Sequence, residues 1–121
     1  MEVKVTHKFA KISPRKARLV VGLIRGAQVD DAFNVLRMTR KRASPMVSKL
    51  LRSAVATAGE RYDVESDELI VSRAWVDGGP ARRTWWARPR GMAATKRHRT
   101  SHISLVISDE TPHSEEEEDD A

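Results

Sequence analysis

The residues best suited to bind a ligand lie between positions 82 and 99, a segment with seven positive charges and no acidic residue. Guanidinium and ammonium groups neutralise phosphates and release counterions, and Arg can donate two parallel hydrogen bonds to one phosphate. Trp85 and Trp86 lie among these cations, and indole rings stack on unpaired bases, which RNA offers in number. The pattern predicts an RNA-binding segment whose cations are Arg82, Arg83, Arg88, Arg90, Lys96, Arg97 and Arg99.

An alternative interpretation of this segment is a solvated basic loop whose tryptophans pack into the core. Adjacent strand residues point to opposite faces, so one small core cannot bury both Trp85 and Trp86. The RNA-binding interpretation is therefore favoured. Pro89 stiffens the segment and Gly91 permits a positive φ, which together predict a hairpin tip there.

Two further basic sets precede this segment. Cations at the start of a helix oppose the helix dipole, so Arg15, Lys16 and Arg18 indicate a nearby phosphate. The alternative for any one of them is an ordinary solvated helix face. The second set comprises Lys4, Lys8, Lys11, Arg15, Lys16 and Arg18, and the third comprises Arg37, Arg40, Lys41, Arg42, Lys49 and Arg52. In the third set, Lys49 and Arg52 are better explained as exposed helix positions.

The charge of the chain is strongly segregated. The 121 residues carry a formal net charge of +5, but eight of the 17 acidic residues lie between Asp109 and Asp120. The 22 Lys and Arg all precede that segment, so the chain up to Ser108 has a net charge of 22 − 9 = +13. A small body with this charge needs a polyanionic partner to offset its self-repulsion.

Other classes of function are disfavoured. The chain has no cysteine, which excludes disulfides, thiolate metal sites and cysteine nucleophiles. The longest uncharged apolar run, Leu19 to Ile24, is too short to cross a membrane. His98 and His102 fall four residues apart on one predicted strand, without a nearby carboxylate, so a metal site or hydrolase centre there is disfavoured. We expect no enzyme activity, no cofactor and no metal.

The hydrophobic pattern predicts the elements that position these residues. Alternation over residues 2–9 predicts a strand. Ser13 and Pro14 predict the start of a helix that runs to about Arg25 and ends at Gly26. Its buried stripe is predicted to be Ala17, Val20, Val21 and Ile24. Asp30 is predicted to cap a short second helix that buries Ala32, Phe33, Val35 and Leu36.

A third helix has the stripe Val47, Leu50, Leu51, Ala54, Val55 and Ala58, and Gly59 is predicted to end it. Its start is open: near Arg40 with a bend at Pro45, or at Pro45 itself. Strands are predicted around 69–76 and over 101–108, with a turn at 77–80 between the first strand and the basic segment. The predicted fold is α+β: a small antiparallel sheet packed with about three helices, and a long protruding β-hairpin. Residues 109–121 are predicted to be a disordered acidic tail.

Five motifs in order give the chain a family resemblance. It resembles the bacterial large-subunit ribosomal protein twenty-two family over roughly residues 5–108. Pro89, Met92 and the acidic tail depart from the usual pattern of that family. The motifs are residues 12–20 (Ile-Ser-Pro-Arg-Lys-Ala-Arg-Leu-Val), 23–26 (Leu-Ile-Arg-Gly), 53–58 (Ser-Ala-Val-Ala-Thr-Ala), 76–80 (Val-Asp-Gly-Gly-Pro) and 99–103 (Arg-Thr-Ser-His-Ile).

The resemblance implies a structural protein of the cytoplasmic ribosome that binds large-subunit rRNA and helps its assembly. It implies one rRNA-binding domain, residues 1–108, whose hairpin, about 77–99, lines the nascent-peptide tunnel. The tip would meet ribosomal protein four near the constriction that the nascent peptide passes; no membrane is involved. The tip would comprise Arg88, Pro89, Arg90, Gly91 and Met92. The rRNA-binding residues would be Lys4, Lys8, Lys11, Ser13, Arg15, Lys16, Arg18, Arg25, Arg40, Lys41, Arg42, Arg82, Arg83, Trp85, Trp86, Arg88, Arg90, Lys96, Arg97, Arg99, Thr100, Ser101 and His102.

Two rival hypotheses come from the residues alone. The first is a free-standing RNA-binding or RNA-chaperone module that acts away from the ribosome. The second is a small hydrolase that uses His98 or His102. Co-migration with large subunits would separate the ribosomal interpretation from the first rival, and replacement of both histidines by Gln tests the second.

Overall fold

The structure, a computed structural model, describes residues 1–109 and confirms the predicted α+β fold. The predicted tail, residues 109–121, lies outside the described residues except for Asp109. No helix in the described range is long and apolar enough to cross a membrane. The elements are β1 (Glu2–Ala10), α1 (Pro14–Ile24), α2 (Val29–Met38), α3 (Ala43–Tyr62), β2 (Ile70–Gly78), β3 (Arg82–Ala87), β4 (Ala93–His98) and β5 (Ser101–Ser108), with short 3₁₀ turns at Ser66–Glu68 and Pro89–Gly91.

The body is built on a three-stranded antiparallel sheet with the order β1-β5-β2. The last strand within residues 1–109 is therefore the central strand. Ile107 of β5 pairs with Val3 of β1 on one side and with Val71 of β2 on the other. These side chains and those of the three helices form one buried hydrophobic cluster. Strands β3 and β4 form a separate two-stranded hairpin, which lies between β2 and β5 in the sequence but not in the sheet.

The strand predicted at 101–108 is confirmed, but its alternating sequence does not produce one exposed face. Val106, on the face opposite to Leu105, is only 1% exposed. It pairs with Lys4 on one side and with Arg73 on the other, and both of these cations lie against the ring of Trp75. The aliphatic stems of the two cations and the indole ring cover this face of the central strand. These long side chains therefore bury Val106 without a second layer of helices or strands on this face of the sheet.

Helix α1 confirms its prediction closely. Ser13 occupies the N-cap position with an extended backbone, although its hydroxyl makes no capping hydrogen bond. Pro14 is the first helical residue, a position whose backbone N–H has no partner within the helix, so the missing N–H costs no hydrogen bond. Gly26 has a φ of +80°, which ends the segment. The four predicted core residues, Ala17, Val20, Val21 and Ile24, are all fully buried.

Helix α2 is present, but its predicted cap is wrong. Gln28, and not Asp30, is the N-cap residue, and its side-chain oxygen accepts hydrogen bonds from the backbone N–H groups of Asp30 and Asp31. Ala32 and Leu36 are buried as predicted. The other two predicted core residues, Phe33 and Val35, are partly buried against the core cluster.

Helix α3 differs from its prediction at both ends. It begins at Ala43, which places Pro45 in the first turn, where a backbone N–H has no partner within the helix and no bend is needed. It continues through Gly59 to Tyr62 and ends where Asp63 adopts a left-handed conformation with φ 53°. The predicted end at Gly59 is therefore wrong. The stripe is buried except for Val55, which is partly buried.

Candidate nucleic-acid interface

The basic segment forms a hairpin that packs on itself. Strands β3 and β4 pair antiparallel from Arg82 opposite His98 to Ala87 opposite Ala93, a length of about 20 Å at about 3.4 Å per residue. At the base, the N–H of Gly79 donates to the carbonyl of Thr100 at 2.9 Å, and the Thr100 hydroxyl donates to the carbonyl of Pro80 at 2.6 Å. The paired part begins at Arg82, because residues 77 and 78 of the predicted hairpin belong to β2.

Residues 88–92 form the tip of the hairpin, as predicted. The Arg88 N–H donates to the carbonyl of Met92 at 2.6 Å, which closes the turn. Arg90 and Gly91 both have positive φ, 66° and 72°. All five residues of the tip are exposed, including the apolar side chain of Met92 at 69%.

The two adjacent tryptophans lie outside the core. Trp85 is 80% exposed and Trp86 is 51% exposed, so the alternative in which both pack into the core is wrong. Trp86 lies between two cations, with the Arg88 guanidinium 4.8 Å and the Lys96 ammonium 5.1 Å from its ring centroid. Because neighbouring strand residues face opposite ways, each face of the hairpin presents one indole ring.

A cavity of about 760 Å³ lies where the hairpin base meets the end of β1 and the start of α1. We call it the hairpin-base groove. It contains seven cations and no acidic residue, and it brings together members of all three basic sets. None of these cations forms an ion pair within residues 1–109. Its lining residues are Phe9, Lys11, Ile12, Ser13, Lys16, Arg42, Arg82, Lys96, Arg97, His98, Arg99 and Thr100.

The remaining predicted cations lie outside this groove. Lys4 lies on the open face of the sheet, 5.3 Å from the Trp75 ring centroid, and Lys8 and Arg15 are exposed. Arg40 and Lys41 line a second cavity of about 850 Å³ between α2 and α3. Arg37, Arg52 and the buried Ser44 also line that cavity. Arg83, Arg88 and Arg90 are exposed along the hairpin.

Arg18 and Arg25 have a structural role that the sequence did not reveal. Each guanidinium donates two hydrogen bonds to one carbonyl of β2, Arg18 to Val76 at 3.2 and 3.0 Å and Arg25 to Ala74 at 3.0 and 2.9 Å. Strand β2 is an edge strand, so these side chains cover carbonyls that no further strand satisfies. The two cations fasten α1 to the edge of the sheet.

The predicted residues Ser101 and His102 hold the hairpin base to the body, and Thr100 closes the base itself through its bonds with Gly79 and Pro80. Ser101 is fully buried, and its hydroxyl donates to the carbonyl of Ile12. The Nδ1 of His102 accepts a hydrogen bond from the backbone N–H of Phe9 at 3.1 Å. The sequence predicted contact with RNA for these residues; the structure places their hydrogen bonds inside the protein.

Phe9 is the groove residue that sequence reasoning missed. Its φ is 60°, its side chain is 58% exposed, and its ring meets the His102 ring edge-on with centroids 5.0 Å apart. The alternation over residues 2–9 predicted only a strand here and did not single out this residue. The partner that fixes this conformation lies 93 residues away in the sequence, so no local signal identified it.

The two histidines of the hairpin region do not share a strand. His98 lies on β4, where its Nε2 is 2.6 Å from the Thr84 hydroxyl, and His102 lies on β5. The sequence assumption of one continuous strand is wrong, because residues 99 and 100 separate the two strands. Within the described range, no three His, Asp or Glu side chains are placed to hold a metal ion.

Fold and surface together define a class: a small basic α+β protein whose charge is concentrated in a groove and a projecting hairpin. A model of the family described as ribosomal protein L22p/L17e matches residues 5–108. The chain belongs to this ribosomal protein family, which confirms the resemblance seen in its motifs.

Curated relatives agree along nearly their whole length. "Large ribosomal subunit protein uL22" of Halothermothrix orenii is 43% identical over 109 residues, covering 90% of this chain and 96% of the relative. Proteins of the same name from Syntrophus aciditrophicus and Desulforamulus reducens are each 45% identical over 109 residues. These matches also cover 90% of this chain, and 99% and 96% of the two relatives.

Proposed function

We propose that this protein is a structural constituent of the large ribosomal subunit in the cytoplasm, that it binds large-subunit rRNA, and that it has no catalytic step of its own. The observation that carries the proposal is the hairpin-base groove, in which seven cations face solvent without an acidic partner. Unpaired positive charge at this density favours the binding of a polyanion. Because the chain belongs to a ribosomal protein family, we infer that this polyanion is rRNA.

The distribution of the cations supports contact with more than one RNA segment. The hairpin-base groove and the cavity between α2 and α3 have separate linings, and the turn at residues 39–42 contributes to both. The hairpin adds two indole rings and the cations of the tip. A body that contacts several segments holds them together, which would assist folding of the rRNA during assembly.

We further propose that the hairpin lines the tunnel through which the nascent peptide leaves, with its tip beside ribosomal protein four at the constriction. The hairpin suits this role because every residue from Arg82 to His98 is exposed except Thr84 and Ala94, which are partly buried. A two-stranded hairpin about 20 Å long, with exposed side chains on both faces, can enter a narrow RNA-walled space.

The test uses a photo-crosslinking amino acid in the full chain, incorporated into large subunits. At Met92 in the tip, the expected products are crosslinks to rRNA and to a stalled nascent peptide. The matched control is Ala56, an exposed residue of α3 outside the groove and the hairpin, which should not crosslink to the peptide. Peptide crosslinks from both positions or from neither would contradict the tunnel proposal. Failure of the chain to sediment with large subunits would contradict the ribosomal proposal as a whole.

A further inference from the structure

We propose that Phe9 is a stacking platform for an unpaired RNA base, held in place by His102 at the edge of the hairpin-base groove. This inference rests on the proposed function and names a contact of a different kind from phosphate binding. The backbone conformation of Phe9 is not the extended one of a β-strand. Phe9 lies in β1, yet its φ of 60° is in the left-handed region, and the pairing of β1 with β5 shifts register between His7 and Ala10.

A left-handed conformation is unfavourable for a bulky residue, so the surrounding structure must enforce it. The enforcing contact is the Phe9 N–H, which donates to Nδ1 of His102 at 3.1 Å. Strained backbone of this kind clusters at active sites and ligand-binding sites. At Phe9 the result is an aromatic ring that is 58% exposed, whereas the aliphatic Val3 of the same strand is buried.

The ring contact with His102 leaves Phe9 able to stack. The two rings are perpendicular, at 88°, with centroids 5.0 Å apart. A T-shaped contact uses one edge or one face of the phenyl ring, so His102 leaves at least one face of a ring that is 58% exposed uncovered. Any of the four bases can stack on an aromatic face, so this contact does not depend on the sequence of the RNA.

The charge around the ring selects the class of ligand. Phe9 shares its groove with Lys11, Lys16 and Arg99, among other cations, and with no acidic residue. An exposed aromatic ring beside phosphate-binding cations is the arrangement by which proteins bind single-stranded nucleic acid, since one ligand supplies both phosphate and base. An apolar protein partner would cover the ring but would leave the surrounding cations unpaired, so RNA is favoured.

The test compares two substitutions of the same residue in the full chain. Phe9→Tyr keeps an aromatic ring, while Phe9→Leu keeps an apolar side chain of similar reach without one. Each protein is titrated with a fluorescent single-stranded RNA of mixed sequence and with the same RNA annealed to its complement. We expect Phe9→Leu to weaken single-strand binding by about fivefold to about 150-fold, while duplex binding changes by less than about twofold. Phe9→Tyr should bind both RNAs within about twofold of the parent protein.

A second pair of variants tests the positioning role of His102. His102→Asn retains an acceptor near the position of Nδ1, whereas His102→Leu removes it. We expect loss of single-strand affinity only for His102→Leu, with thermal unfolding and duplex binding as checks that the groove is intact. Equal single-strand affinity for Phe9→Leu and the parent would overturn the stacking proposal, as would equal losses on both RNAs. If the parent protein bound neither RNA, the proposed function would fail.

Discussion

Removing charge from the hairpin-base groove should lower the salt dependence of RNA binding more than removing the same charge elsewhere. The test variant is Lys16→Gln with Arg99→Gln. Both residues line the groove and are exposed, and neither forms an ion pair in the described chain. The control variant is Lys49→Gln with Arg61→Gln on α3, which removes two exposed positive charges that do not line the groove.

The magnitude follows from counterion release. Each phosphate contact contributes about −0.7 to the slope of log affinity against log salt for a single strand. The seven groove cations therefore contribute at most about −5 to the slope, and removing two of them should reduce the size of the slope by about 1.4. Between about 50 and about 200 mM salt, the ratio of the parent protein's affinity to that of the test variant should fall by about sevenfold.

The assay is fluorescence anisotropy of a labelled large-subunit rRNA fragment over a salt series. The control variant should keep a slope close to that of the parent protein, since its cations do not line the groove. Equal reductions of the slope in the two variants would show that only the total charge matters, and would refute the assignment of phosphate contacts to the groove.

Three further predictions concern the body that holds this groove. Arg25→Leu should lower the free energy of unfolding in urea by about 1 kcal/mol, because two hydrogen bonds to the Ala74 carbonyl are lost; Arg25→Lys should recover only part of this. Gly79→Ala should destabilise by about 1–2 kcal/mol, since its methyl group would lie 2.5 Å from the Thr100 hydroxyl oxygen. That cost should become smaller in a Thr100→Ala background, where the His102 ring at 3.3 Å is the remaining close neighbour, as measured by the same urea unfolding. The hydrogen bond from the N-terminal ammonium holds the pKa of Asp109 below its ordinary value of 3.8, so its stabilising effect is present above that pH and is lost as the pH falls through the lowered pKa. Acetylation of the N-terminus should raise this pKa toward 3.8 in an NMR titration of the carboxyl carbon, and an unchanged pKa would show that the ion pair does not form.

The sequence predicted an element of this fold correctly where residues close together in the chain determine it. Pro14 and the spacing of Val20, Val21 and Ile24 predicted α1, because a proline at the first turn and a stripe of period 3.6 are both local properties. Gly59 was misleading because a glycine inside a helix costs only about 1 kcal/mol, which the packing of α3 against the sheet outweighs.

Non-local pairing accounts for what the sequence did not predict. The cations of the groove were recognised as basic sets, but their convergence depends on the position of the hairpin base beside α1, which only the sheet order fixes. The roles of Arg18 and Arg25 depend on carbonyls of β2 that lie 58 and 49 residues away in the chain. The conformation of Phe9 likewise depends on His102.

The place of β5 in the sheet has a consequence for how the chain acquires its structure during synthesis. The strand that pairs with both β1 and β2 is the last of the described strands to be made, and contacts such as Thr6 with Ser104 span 98 residues. Contacts at such separation form slowly, because a long loop must close before they are gained. Until residues 101–108 emerge, β1 and β2 have no strand between them, and their apolar faces and unpaired edges stay open to aggregation. Formation of the three-stranded sheet therefore waits for residues 101–108, and a chain released before β5 is complete cannot assemble it.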